Sequence, residues 1–153
     1  MKKFLSFILI VFTIVSAVEM PTSATQSNEY ESVIAMAVEP RLNNGNSYYT
    51  GFTITNTGVA TLTVQYSGIS GVTTRVTATM SIEKKVASST WERVDIGTLT
   101  NSWTDSSTEL SGVFSHTFQL ESTGTYRGVF VIRMYGSGGT ADKIEKTIEK
   151  TYS

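Results

Sequence analysis

The sequence has 153 residues, of which 12 are Lys or Arg and 13 are Asp or Glu, so its formal net charge at pH 7 is −1. A chain this close to neutral has no basic field that would attract nucleic acid or an anionic membrane surface. It contains no cysteine, which excludes a disulfide framework and a lipid anchor on cysteine. The length fits one domain, whose stability must come from a hydrophobic core.

An export signal is predicted at residues 1–24. Two lysines supply the positive start, Phe4–Val18 supplies the apolar stretch, and Ala24 ends a small-residue cleavage region; a cut after Ala17 also fits. The apolar stretch is shorter than the ~20 residues that span a bilayer, and no basic cluster follows it. The sequence therefore predicts a secreted, extracellular protein without a membrane span after cleavage.

Residues 25–47 are predicted to be an N-terminal lead-in, and residues 48–153 a single β-sandwich domain. Within the lead-in, Ser32–Val38 is short and apolar, which fits either an edge strand or an ordered arm. The cluster Asn43–Asn46 is predicted to be a turn.

Alternation of apolar and polar residues predicts a series of short strands after the lead-in. The clearest pattern is Thr73–Lys85, where Val76, Ala78, Met80 and Ile82 share one face. The strand at Thr125–Tyr135 is predicted to be central, because it is apolar on both parities. The predicted strands in chain order are Tyr49–Thr55, Val59–Ser67, Thr73–Lys85, Trp91–Gly97, Val113–Leu120 and Thr125–Tyr135.

The C-terminal segment, residues 141–152, is compatible with a helix or a strand, because Ile144, Ile148 and Tyr152 share a face in both. A closing strand that pairs with Thr125–Tyr135 through the glycine-rich turn at 136–140 agrees better with the strands that precede it. The fold class predicted is all-β, an antiparallel β-sandwich of seven to eight strands.

Catalytic and metal-binding residues are sparse in this sequence. His116 is the only histidine, and it lies between Phe114 and Phe118 on the apolar parity of its strand, which favours a structural role. Asp105 and Glu109 fit either calcium ligands or an acid–base pair for glycoside hydrolysis, but both chemistries require further groups. The expectation is a protein that is not an enzyme and has no metal or cofactor.

Exposed aromatic side chains are the best candidates for ligand binding. Trp103 lies in a long polar stretch that is predicted to be a loop, and Trp91 and Tyr135 are further candidates. For Trp91, packing over the edge of the sheet is the alternative. Tyr48 and Tyr49 are weaker candidates. Arg75, Arg127 and Arg133 fall on outward parities, where their stems would cover neighbouring valines; a partner surface is the alternative.

Two resemblances add to this interpretation. The segment Gly124-Thr125-Tyr126-Arg127 resembles the tyrosine corner of immunoglobulin-like and fibronectin type III sandwiches, which implies an immunoglobulin-like architecture and a structural hydrogen bond from Tyr126. The chain is also similar to small secreted proteins of Gram-positive Firmicutes that form a family of unknown function. Glu39-Pro40-Arg41, Lys84-Lys85 and Trp91 carry that likeness, and it implies no activity.

The functional expectation combines these observations. The sequence predicts a secreted, non-enzymatic sandwich that acts as a surface, adhesion or envelope-associated interaction module. Its partner would be a protein or a glycan at the cell surface. The alternative is a carbohydrate-binding module that uses Trp103, Trp91 and Tyr135 to stack on sugar rings.

Overall fold

The computed structural model describes residues 42–153, which form an all-β domain. The predicted signal peptide, the lead-in up to residue 41 and the Glu-Pro-Arg motif lie outside the described residues. None of the described residues forms a helix that could cross a bilayer. The strands are β1 (Gly45–Ile54), β2 (Val59–Gly68), β3 (Thr73–Lys85), β4 (Trp91–Arg93), β5 (Trp103–Ser107), β6 (Ser111–Gln119), β7 (Gly124–Gly136) and β8 (Asp142–Tyr152).

The eight strands form two antiparallel sheets. One has three strands in the order β1-β2-β6, and the other has five, in the order β4-β3-β7-β8 with β5 also paired to β3. In immunoglobulin-like sandwiches, strands A, B and E share one sheet while C, F and G share the other. Here β1, β2 and β6 occupy the first set of positions and β3, β7 and β8 the second. The predicted immunoglobulin-like sandwich is therefore confirmed.

The core lies between the inner faces of the two sheets. Val76, Ala78, Met80 and Ile82 of β3 are fully buried, as the alternation of that strand predicts. The other sheet contributes Ala60, Leu62 and Val64, and the central strand β7 contributes Phe130, Ile132 and Met134. Each large apolar side chain buried in this way stabilises the fold by about 1.5–3 kcal/mol. The core thus replaces the disulfides that the chain lacks.

The C-terminal segment is a strand rather than a helix. β8 pairs with β7 along its whole length, from Gly124 opposite Tyr152 to Met134 opposite Asp142. Ile144 is buried on the inner face of β8, and Ile148 packs against the same core. The prediction of a closing strand is confirmed.

The first strand of the domain starts three residues before residue 48, where the sequence predicts the sandwich to begin. β1 begins at Gly45, inside the segment assigned to the lead-in and to a turn. The buried carboxylate of Asp142 accepts hydrogen bonds from the backbone N–H groups of Asn43, Asn44 and Gly45, at 2.8, 2.7 and 3.1 Å. Because a buried N–H needs an acceptor, this carboxylate holds the start of β1 against β8.

The glycine-rich turn after β7 packs closely against this same N-terminal segment. A Cβ atom at Gly138 would lie 2.1 Å from the backbone oxygen of Asn43. The Asn44 side chain accepts from Gly138 N–H at 3.0 Å and donates to the Thr140 carbonyl at 2.9 Å. The glycines therefore serve close approach of two chain segments as well as the turn itself.

Candidate binding surface

The aromatic residue favoured as a ligand contact, Trp103, does not lie in a loop. It begins β5 and is opposite Met80 of β3, so its side chain is on the inner face of the sheet. Its ring stacks on the imidazole of His116, with centroids 5.0 Å apart and planes 7° apart. Trp103 also packs against the hydrophobic core. The loop prediction was wrong because Trp103–Ser107 has one apolar inward residue, which gives too weak an alternation to indicate a strand.

The candidate catalytic residues meet beside Trp103. His116 Nε2 lies 2.8 Å from Asp105 Oδ2, and both side chains are 27% exposed. Because β5 and β6 belong to different sheets, this contact joins the two sheets at one side of the sandwich. Glu109 lies beyond β5, and its N–H donates to Ser107 Oγ at 3.0 Å. Among residues 42–153, no three His, Asp or Glu side chains are grouped closely enough to hold a metal ion.

Trp91 and Tyr135 lie on the outer face of the five-stranded sheet, far apart. Trp91 is opposite Lys85 at one end of β3, whereas Tyr135 is opposite Arg75 at the other. About ten residues of extended strand separate these positions, or roughly 33 Å. With Trp103 on the inner face, the three candidate aromatics form no common flat patch.

Each of these two outer aromatics contacts a guanidinium group. Arg127 lies over the Trp91 ring at 4.4 Å from its centroid, and Arg75 lies over the Tyr135 ring at 4.3 Å. Arg127 also forms an ion pair with Glu83 at 2.6 Å. Trp91 therefore covers the outer end of the sheet through a cation–π contact, the packing alternative considered for it.

Tyr126 has the geometry of a tyrosine corner. Its ring is buried near the start of β7, and its hydroxyl donates to the backbone oxygen of Ser122 at 2.6 Å. Gly124, between these two residues, has a φ of +147°, which a side chain would disfavour. The bond ties the β6–β7 connection to the central strand.

The outer face of the three-stranded sheet is a surface that the pattern of each single segment does not indicate. None of the strands β1, β2 and β6 contains Asp, Glu, Lys or Arg. We call the outward side chains of these three strands the uncharged face. They stand in rows that cross all three strands, namely Ser47–Ser67–Ser111, Tyr49–Gln65–Val113, Gly51–Thr63–Ser115 and Thr53–Thr61–Thr117.

A groove lies at one end of the uncharged face. Its volume is about 430 Å³, and its lining comes from all three strands. Tyr49 and Val113, on opposite sides of Gln65, are 39% and 57% exposed. A Cβ atom at Gly51 would lie 3.2 Å from the Tyr49 ring, so this ring lies over the glycine. The residues lining the groove are Ser47, Tyr48, Tyr49, Gln65, Tyr66, Ser67, Ser111, Gly112 and Val113.

The chemistry of the groove is that of a neutral polar site. Its serine hydroxyls and the Gln65 amide both donate and accept hydrogen bonds, and its lining includes no carboxylate, ammonium or guanidinium. The exposed face of Tyr49 adds a flat apolar surface beside them. The sequence indicates Tyr49 only as one of the weaker candidates for ligand binding. The signal that could have found it is the shared lack of charge in three segments.

Comparison with known proteins adds no family to this description. No family model matches the chain, and no curated protein is detectably similar to it.

Proposed function

We propose that this protein is a secreted, non-enzymatic binding module of a Gram-positive bacterium that acts at the cell surface, and that its uncharged face binds a neutral glycan. The predicted export signal supports the extracellular location, and the likeness to small secreted Firmicutes proteins supports the origin. The sequence leaves the surface partner open as a protein or a glycan, and we choose a neutral glycan.

The observation that carries the proposal is the groove beside Tyr49 on a face without charged side chains. A neutral sugar presents hydroxyl groups, which pair with serine hydroxyls and amides, and an apolar ring face, which packs on an aromatic ring. An ionic side chain would have to lose its hydration without gaining an opposite charge. A neutral lining with a few placed polar groups and one aromatic surface fits such a ligand.

The same groove supports the non-enzymatic part of the proposal. Hydrolysis of a glycosidic bond by the common mechanism needs two carboxyl groups, one on each side of the bond. No Asp or Glu is among the residues that line the groove. Asp105, a candidate acid for this reaction in the sequence, instead pairs with His116 at the side of the sandwich, outside the groove.

Binding of neutral polysaccharides by the full exported chain tests the proposal. A glycan array identifies the ligand, and calorimetry then compares wild type with Tyr49→Ala and with Tyr135→Ala. Tyr135 is the matched control, because it is a partly exposed tyrosine on the opposite face. We expect Tyr49→Ala to weaken binding at least about tenfold, which corresponds to ~1.4 kcal/mol, and Tyr135→Ala to leave it unchanged.

A second variant moves the Tyr49 ring without removing it. Gly51→Ala places a methyl group against that ring, so the ring must shift, and we expect weaker binding with an unchanged fold. Equal binding by wild type and Tyr49→Ala would overturn the proposal. So would binding only to charged glycans, or no binding to any neutral glycan.

A further inference from the structure

Two arginines stand close together on the outer face of the five-stranded sheet. Arg75 of β3 is directly opposite Tyr135 of β7, and Thr77, two residues further along β3, is directly opposite Arg133. Arg75 and Arg133 are therefore diagonal neighbours on one face, a relation that brings side chains to about 7–8 Å of each other. Two guanidinium groups, with Tyr135 and Thr77 beside them, share this corner of the sheet.

These two arginines lack the carboxylate partners that the other arginines of the domain have. Arg127 and Arg93 both pair with Glu83, at 2.6 and 3.9 Å. Within residues 42–153, neither Arg75 nor Arg133 forms an ion pair. Lys143, which stands opposite Arg133 on β8, pairs with Glu145 at 2.7 Å. The corner therefore carries a local excess of positive charge, although the charges of residues 42–153 balance as a whole.

Arg133 stands directly opposite Lys143, and like charges in that position disfavour the sheet. Glu145, diagonal to Arg133 on the same face, pairs with Lys143 and not with Arg133. Covering the neighbouring Val131 requires only the apolar stem of an arginine, which a methionine would also supply. The charge of Arg133 therefore has no ion-pair partner among residues 42–153. Local conflicts of this kind are expected at functional sites.

We propose that Arg75, Arg133 and Tyr135 form a binding site for an oxyanion, a phosphate or carboxylate group of a ligand. A guanidinium donates two parallel hydrogen bonds to such a group, and two guanidiniums on adjacent strands enclose it from two sides. Arg75 is already positioned, because it lies over the Tyr135 ring at 4.3 Å. The hydroxyls of Tyr135 and Thr77 are further donors. The site is on the opposite side of the sandwich from the uncharged face and does not depend on it.

The test is a titration of the full exported chain with pyrophosphate and, separately, with malonate, followed by NMR of the backbone amides. We expect saturable shifts confined to the residues around Thr77, Arg133 and Tyr135. Stronger binding of one probe identifies the source as phosphate or carboxylate. Arg75→Gln and Arg133→Gln should each weaken binding at least about fivefold, the effect of one charge-assisted contact at an exposed site. Arg93→Gln is the matched control and should bind as wild type does.

The variant Arg133→Met separates binding from packing. It keeps the apolar stem, so we expect unchanged or higher stability in urea together with the same loss of pyrophosphate binding. Loss of stability without loss of binding would show that Arg133 only covers the sheet and would overturn the proposal. Shifts of equal size in Arg93→Gln and Arg133→Gln, or shifts spread over all cationic residues, would do the same, since they indicate unspecific screening.

Discussion

The two sheets of the sandwich are alike on their inner faces and different on their outer ones. Inside, both present fully buried aliphatic residues, such as Leu62 and Val64 on one sheet and Val76 and Ile82 on the other. Outside, the three-stranded sheet carries hydroxyls, an amide and a tyrosine without any charge, whereas β3, β4, β7 and β8 of the five-stranded sheet each carry charged residues on their outer face.

This difference shows that the outer face of a sheet can be hydrated by hydroxyl groups or by charged groups. Hydroxyl side chains hydrate the uncharged face, and some form hydrogen bonds with each other across strands, as Thr63 and Ser115 do at 3.4 Å. The outer face of the five-stranded sheet is hydrated by charged side chains instead, several of which form ion pairs, as Arg93 and Arg127 do with Glu83. A neutral surface suits a neutral ligand, and an unpaired cation suits an anion.

Removing the carboxylate that joins the sheets should have the largest effect. Asp142 of β8 accepts three backbone N–H groups at the start of β1. Asp142→Ala leaves these donors without a partner, and we expect the free energy of unfolding in urea to fall by about 3 kcal/mol. Asp95→Ala is the control, since Asp95 accepts one N–H in an exposed loop. A loss no larger than that of the control would show that water replaces the carboxylate.

Trp103→Ala should have the second-largest effect, because this ring closes the side of the sandwich between the sheets. The side chain is half-buried against the core and stacks on His116. We expect stability to fall by about 2 kcal/mol, somewhat less than for a fully buried tryptophan, with glycan binding retained. Trp91→Ala, on the outer face, should cost less. Loss of glycan binding by folded Trp103→Ala would move the ligand from the uncharged face to this edge.

Tyr126→Phe tests the bond that ties the β6–β7 connection to the central strand β7. The variant keeps the buried ring and removes the hydroxyl that donates to Ser122. We expect a loss of about 1 kcal/mol in urea unfolding, the usual net value of one hydrogen bond. Tyr135→Phe serves as the control and should leave stability unchanged. An equal response of both variants would mean that the corner bond contributes nothing beyond solvation.

The sequence predicts the inner faces better than the outer ones for a physical reason. Alternation reports burial, so Val76, Met80 and their neighbours on β3 were assigned correctly, and the central position of β7 follows from its apolar character. Asp142 and Asn44 could not be found in this way, because their role depends on two segments far apart in the chain. For β5, only Trp103 is apolar among the inward residues, and the pattern fails.

To predict the candidate site, one must know the order of the strands in the sheet as well as the strands themselves. Rich Ser and Thr content and the lack of charge are visible in each of the segments that contain Tyr49, Thr63 and Ser115. The turn between Tyr49–Thr55 and Val59–Ser67 predicts a hairpin of β1 and β2, but nothing in the sequence says that β6 joins them from a distant part of the chain. The sequence favours Trp103 over Tyr49 as a ligand contact, because Trp103 lies in a long polar stretch that is predicted to be a loop. Exposure and register reverse that ranking.

The smallest effect on stability is expected from a charge placed on the uncharged face. Thr117 ends the row Thr53–Thr61–Thr117 and is exposed, so the lysine of Thr117→Lys remains hydrated. We expect urea unfolding to change by less than about 0.5 kcal/mol, as for most surface substitutions. A loss above about 1 kcal/mol would make the lack of charge a folding requirement, and the uncharged face would then give no argument for a ligand. Stability within the expected range would show that folding does not require this face to be uncharged.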